Sequence, residues 1–115
     1  MAGPVGAQLI SGGTASESNL GAAPDVIIND ATIDPDTNST IEIAYNASGH
    51  AAQDLDVYLV NTSSSSTIDS VFGLSSSKGT LTLNISAGEI TKNTTVYLAL
   101  TKNRTELANG TATIT

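Results

Sequence analysis

Alternation of apolar and polar residues runs from Asp25 to the end of the chain and restricts its fold more than any other feature. The segment Leu55-Asp56-Val57-Tyr58-Leu59 alternates without a fault, and Thr80-Leu81-Thr82-Leu83-Asn84-Ile85 does the same. A period of two residues places every second side chain on one face of a β-strand. No window carries the i, i+3, i+4 stripe of an amphipathic helix, so the pattern predicts an all-β domain.

Turns rich in Pro, Gly, Asn, Asp and Ser divide this pattern into about seven short strands, at a spacing of roughly 10–15 residues. Such spacing is typical of an antiparallel sandwich of two sheets. The chain contains no Cys, so an aliphatic core has to hold the sandwich together without disulfides. The side chains predicted to form that core are Ile41, Ile43, Leu55, Val57, Leu59, Leu81, Leu83, Ile85, Val96, Leu98, Leu100 and Ile114.

Residues 1–24 differ from the rest, and we expect an extended N-terminal arm there, followed by the sandwich over residues 25–115. The arm is rich in Gly, Ala and Ser, and Glu17 is its only charged residue. It holds too little apolar surface to fold alone. Two placements fit: a short strand added to its own domain, or an arm lying across a neighbouring subunit. In the second, Val5, Leu9 and Ile10 would make the assembly contacts.

Charge and hydropathy exclude two classes of protein. Eleven acidic residues against four basic ones leave a net charge of −7, so the chain lacks the basic surface that nucleic-acid binding requires. It also lacks the ~20 consecutive apolar residues of a transmembrane helix, so we expect no membrane insertion. The acidic, Lys-poor, Thr-rich composition resembles that of proteins from salt-loving archaea and their viruses.

Residues 81–115 run from Leu-Thr-Leu-Asn-Ile-Ser-Ala-Gly-Glu through Val-Tyr-Leu-Ala-Leu to Ala-Thr-Ile-Thr. They resemble the E, F and G strands of immunoglobulin-like domains, although the Cys and Trp of that family are absent. The resemblance implies an immunoglobulin-like sandwich, with Tyr97 in the place of the family's corner tyrosine. Domains of this kind occur in archaeal surface proteins and in decoration proteins of tailed viruses, where they serve adhesion, spacing or decoration.

Catalytic and metal-binding motifs are sparse, and we expect no enzyme activity. His50, the only histidine, lies in a turn of small residues, and no Gly-x-Ser-x-Gly motif is present. Asp34, Asp36 and Asn38 match the first three ligand positions of a calcium loop, but the following positions do not match it. The alternatives are a calcium site and a plain Asx-Pro turn, and we expect no other cofactor.

Asn-x-Ser/Thr sequons are the strongest non-random motif, since seven of the nine asparagines begin one. Such a sequon is the acceptor for N-linked glycans in exported proteins. Abundant Ser and Thr, 30 of 115 residues, also create sequons by composition alone. The candidate attachment sites are Asn38, Asn46, Asn61, Asn84, Asn93, Asn103 and Asn109.

Two functional hypotheses follow, and both make the chain a structural subunit with protein partners. The first is a virion decoration protein of an archaeal-type or phage virus, located on the virion surface and held there by its N-terminal arm. A start at Met1 without a secretory signal favours this hypothesis. The second is a glycosylated, extracellular or cell-surface archaeal protein, a filament or cell-wall adhesin subunit that assembles by donor-strand addition. The sequons favour the second hypothesis.

Overall fold

The computed structural model describes residues 8–11, 20–28 and 32–114, and in these ranges the chain forms β-strands without an α-helix. A 3-10 turn, Ala52–Asp54, precedes the fifth strand. The strands are β1 Gln8–Ser11, β2 Asp25–Ile28, β3 Thr32–Ile33, β4 Ser39–Asn46, β5 Leu55–Asn61, β6 Ser66–Phe72, β7 Lys78–Ile85, β8 Thr95–Lys102 and β9 Thr105–Ile114. The prediction of an all-β chain with two antiparallel sheets is confirmed.

The two sheets share the strands unequally. The first contains three strands in the order β2-β4-β7. The second is built on four long strands, β9-β8-β5-β6, and the short strands β1 and β3 extend it beyond β9. All neighbouring strands run antiparallel. The chain crosses from one sheet to the other after β1, β2, β3, β4, β6 and β7, so most connections tie the two sheets together.

The core lies between the inner faces of the two sheets. Of the twelve side chains predicted to point inward, all are buried except Leu81, which is half-buried against the same core. Tyr45 is also buried, and its hydroxyl donates a 2.7 Å hydrogen bond to the carbonyl of Ser76. In the described ranges no buried side-chain nitrogen or oxygen lacks a hydrogen-bond partner, as the cost of burying polar groups requires.

The apolar residues Val26–Ile28 and Ala31–Ile33 would be predicted from the sequence alone to form one strand, broken at Asn29-Asp30. That prediction is wrong. The structure instead pairs β2 with β4 in the first sheet and β3 with β1 at the edge of the second. Ile28 and Ile33 are both buried, so each half of the segment contributes to the core from a different sheet. Local alternation is the same in both arrangements and therefore could not distinguish them.

Two β-bulges change the direction of side chains in the second sheet. In β9, Leu100 pairs with Ala108 but Thr101 pairs with Glu106, so Leu107 is the extra residue. In β6, Ile68 is extra in the same way. Both extra residues pack partly against the core. A bulge shifts the alternation by one residue, and the bulge in β9 thereby places Glu106 on the outer face of the sheet.

Candidate functional site

The N-terminal strand β1 lies between β9 and β3. Ile10 pairs with Ile114 and Ser11 with Thr113, while Gln8 and Leu9 pair with β3. Leu9 and Ile10 thus lie in a strand that is added to the chain's own sheet, as in the first of the two placements that the sequence allowed. Val5, the third predicted assembly residue, lies outside the described residues.

A second feature is the outer face of the four long strands, where three of the four aromatic residues of the chain lie. The ladder places Tyr58 opposite Ala99 and Tyr97 opposite Val60. Residues paired across antiparallel strands share one face, so these side chains form one surface. We call it the aromatic face and define it by Asp56, Tyr58, Phe72, Tyr97, Ala99, Glu106 and Asn109.

Phe72 is the most open part of the aromatic face. Its side chain is 65% exposed, and it is the only large apolar side chain in the described ranges with such exposure. The ring packs edge-to-face against Tyr58, with centroids 5.5 Å apart and planes at 79°. Ala99, which pairs with Tyr58, is only 8% exposed, because neighbouring side chains cover it. Phe72 and Tyr58 thus form a small aromatic pair on this face, and Phe72 is the member that is open to solvent.

A hydrogen-bonded network of three side chains lies on the same face. The Tyr97 hydroxyl donates to Glu106 Oε1, and Asn109 Nδ2 donates to Glu106 Oε2 at 3.0 Å. Glu106 raises the pKa of Tyr97 above its usual value of 10.0, because its carboxylate accepts the hydrogen bond of the neutral phenol. Desolvation and the negative charge of Glu106 act in the same direction. Two side chains from β9 and one from β8 are therefore held together on the aromatic face.

Alternation alone would have placed Tyr58 and Tyr97 outward, because each lies between two residues predicted to point inward. The sequence does not show that these two tyrosines lie on one surface. It could not have placed Glu106 beside Asn109, because that arrangement depends on the β9 bulge. The sequence does contain two Val-Tyr-Leu triplets, each with its tyrosine at an outward position. This pattern does not show that the two strands that contain them are neighbours in the sheet.

The predicted calcium ligands lie in the turn between β3 and β4. Asp34 Oδ1 accepts the Asp36 N–H at 2.9 Å, which closes an Asx turn. Asn38 Oδ1 accepts the Ala87 N–H at 3.0 Å, so it connects this turn to the loop after β7. In the described ranges no group of three or more His, Asp or Glu side chains is placed to hold a metal ion. The calcium site stays a prediction.

A cavity of about 350 Å³ lies beside the same turn. Lys92 and Asp36 contribute opposite charges to its wall, and Ile90 contributes an apolar surface. The Gly88 N–H donates to the carbonyl of Pro35 at 2.7 Å and thereby joins the two loops that form the cavity. Its lining residues are Pro35, Asp36, Gly88, Ile90, Thr91 and Lys92.

The seven sequon asparagines fall into three groups by exposure. Five are exposed: Asn38, Asn84, Asn93, Asn103 and Asn109. Asn46 is half-buried and donates to the carbonyl of Gly21 at 3.2 Å. Asn61 is buried, with 8% of its surface exposed, and its Nδ2 donates to the carbonyl of Glu89 at 2.9 Å. The sequence motif is the same in every case. The side-chain nitrogen of Asn61, however, is buried and hydrogen-bonded within the fold, whereas the five exposed asparagines are open to solvent.

His50 is half-buried, and its Nδ1 lies 3.4 Å from Lys102 Nζ. A histidine that acts as a base needs an orienting carboxylate on one nitrogen and a nucleophile on the other. A lysine nitrogen supplies neither, so this contact provides no argument for catalysis.

Comparison with known proteins adds no family to this description. No family model, no curated protein and no solved structure matches the chain. In the part of the chain that the structure describes, no helix is long and apolar enough to cross a membrane. The fold and its surfaces therefore define the class, a two-sheet β-protein, and the function has to be argued from them.

Proposed function

We propose that this chain is a non-enzymatic structural protein of the exposed surface of a self-assembling particle. The particle of the proposal is a virion of an archaeal-type or phage virus, in which the chain decorates the capsid or tail. The proposed fold is an immunoglobulin-like sandwich. Its support is the strand order, with β2-β4-β7 in one sheet and β9-β8-β5-β6 in the other.

The observation that carries the proposal is the pairing of β1 with β9. Four residues of β1 pair with two other strands, and residues 12–24 connect them to β2. Nineteen buried residues between Val26 and Ile114 pack into one cluster, so the described part of the sandwich contains a core of its own. A short strand joined through a connecting segment can be exchanged between identical copies, because every hydrogen bond of the closed form is made again in the exchanged form.

In a strand-exchanged assembly, β1 would attach each copy to its neighbour, and the sandwich would form the exposed surface. An edge strand presents unpaired N–H and C=O groups, and β9 would present such an edge if β1 left it. A β1 strand from a neighbouring copy would then satisfy the same groups by strand addition. The net charge of −7 opposes non-specific association of the sandwich bodies, so attachment through the strand would be the specific contact.

The test compares the full chain with a variant that starts at Gly21, by light scattering after size exclusion over a concentration series. We expect the full chain to form dimers or larger species and the truncated chain to stay a folded monomer. A peptide of residues 5–14 should bind the truncated chain, and the same peptide with Ile10→Pro should not, because proline removes a ladder donor. Equal association of the two chains would contradict the proposal.

A second candidate function is a secreted, N-glycosylated surface filament or adhesin subunit. The exposure of five sequon asparagines favours it, since a glycan needs an accessible amide nitrogen. The intact mass of protein from the native source tests this function. A mass equal to that of the bare chain would exclude it.

A further inference from the structure

We infer that Asn109 is a glycan attachment site and that its saccharide lies across the aromatic face. This inference rests on the second candidate function, in which the chain is glycosylated. It selects one of the seven sequons and states what the attached sugar does on the protein.

The register places Asn109 in line with the aromatic side chains. Asn109 pairs with Ala99, and Ala99 pairs with Tyr58, so the three side chains form one row across β9, β8 and β5. Neighbouring strands lie about 4.8 Å apart, which puts Asn109 about 10 Å from Tyr58 along the row. A saccharide attached at Asn109 and directed along the row therefore passes over the side chains that cover Ala99 and extends towards Tyr58.

The chemistry of the face suits a saccharide. A pyranose ring has an apolar face of C–H groups, which packs on an aromatic ring, and hydroxyl groups at its rim, which donate to carboxylates. Tyr58 and Phe72 supply the rings, and Asp56 and Glu106 supply carboxylates on the same face.

Other exposed sequons lack such a surface. Asn84 lies on β7 and pairs with Thr40, and the outward residues of β4 are Thr40, Glu42, Ala44 and Asn46, none of them aromatic. Asn38, Asn93 and Asn103 lie in turns between strands. Among the exposed sequon asparagines, Asn109 is the one that shares a ladder row with an aromatic residue in the described part of the chain.

The attachment itself is a group transfer to Asn109 Nδ2. The nitrogen bonds to C1 of a saccharide carried on a lipid phosphate, the bond between C1 and the phosphate oxygen breaks, and the lipid phosphate leaves. One amide proton passes to a base of the transferring enzyme. The second amide hydrogen remains, so Nδ2 can keep its hydrogen bond to Glu106 Oε2, which orients the first sugar over the face.

The test places a sugar at position 109 without depending on the native glycosylation machinery. The chain has no cysteine, so Asn109→Cys is a unique alkylation site for an iodoacetamide derivative of N-acetylglucosamine or its disaccharide. Asn84→Cys with the same reagent is the matched control, and plain iodoacetamide provides the sugar-free reference at both positions. The readout is the thermal midpoint of each conjugate.

We expect the sugar to raise the midpoint at position 109 by about 3–6 °C over its reference, the shift expected from stacking on one ring in a domain of this size. At position 84 the sugar should change little. The rise should disappear in the Phe72→Ala background, a change at an exposed side chain that leaves the core intact. Equal shifts at the two positions, or a shift that survives Phe72→Ala, would overturn the inference.

Two further measurements separate the inference from the function on which it rests. Peptide mapping of native protein shows whether Asn109 carries a saccharide, and a bare Asn109 would overturn the attachment even where other sequons are occupied. The free disaccharide, titrated into the unmodified chain, should bind weakly or not at all. A midpoint rise equal to that of the conjugate would assign the face to a free saccharide and not to the attached one.

Discussion

Replacing Asn61 by alanine tests whether a sequon asparagine serves the fold. Asn61 ends β5 with its side chain directed inward, in phase with the buried Leu59. Its Nδ2 donates to the carbonyl of Glu89, and its Oδ1 accepts the N–H of Ser63, both at 2.9 Å. The side chain thus ties the end of one sheet to the loop that follows β7.

The expected loss of stability follows from these two bonds. Each neutral hydrogen bond contributes about 1 kcal/mol net, and a half-buried carbonyl left without its donor adds to the cost. We therefore expect Asn61→Ala to lower the free energy of unfolding by about 2–3 kcal/mol. Asn84→Ala is the matched control, because Asn84 is exposed on β7 and its side-chain amide makes no hydrogen bond in the described ranges, while its backbone N–H, which alanine keeps, donates to Asp69 Oδ2. Its effect should be about 0.5 kcal/mol or less.

Urea denaturation followed by circular dichroism measures both variants at the same pH and protein concentration. With a slope of about 2 kcal/mol per molar urea, Asn61→Ala should lower the midpoint by about 1 M or more, without a change in slope. If the two variants unfold within about 0.5 kcal/mol of each other, the hydrogen bonds of Asn61 do not hold the loop and the reasoning is refuted.

Two further predictions concern the β8–β9 hairpin. Asn103 and Arg104 both have positive φ, 49° and 69°, the combination of a type I′ turn, in which glycine is favoured. Arg104→Gly should stabilise the chain by about 0.5 kcal/mol in the same urea assay. The control is Lys102→Gly, which lies in an extended strand and should destabilise the chain. If both variants are less stable than the parent chain, the proposed turn geometry is refuted. Glu106→Gln should lower the pKa of Tyr97 towards 10.0, seen as tyrosinate absorbance against a Tyr97→Phe reference. Because the folded-state pKa lies above the unfolded one, the stability contributed by Tyr97 is complete below pH 10 and is lost as the pH rises through the folded pKa. An unchanged titration in Glu106→Gln would show that the carboxylate does not control the phenol.

The aliphatic core could be predicted because it depends on a local rule. Leu55, Val57 and Leu59 alternate with polar residues, and any two-sheet arrangement buries such a face. The same rule directs Tyr58 to the surface. The positions of turns were equally accessible, since Pro35 and Gly88 lie where the chain reverses.

The sheet to which a strand belongs could not be predicted in the same way. Thr32–Ile33 has the alternation of β2 but pairs with β1 at the edge of the other sheet. Pairing is decided by which distant strand offers a free edge, and no local pattern records that. The bulge at Leu107 is a similar case, since an extra residue in β9 is defined only against its partner in β8.

The sequence by itself determined the period of the strands, the identity of the core and the number of sequons, because each depends on neighbouring residues alone. Only the tertiary structure decided which of those residues meet. It buried Asn61 and left Asn109 exposed within identical motifs, and it brought Tyr58, Phe72 and Glu106 to one face from three strands. The physical reason is that accessibility and side-chain proximity arise from the pairing of distant strands, whereas alternation is a property of each strand alone.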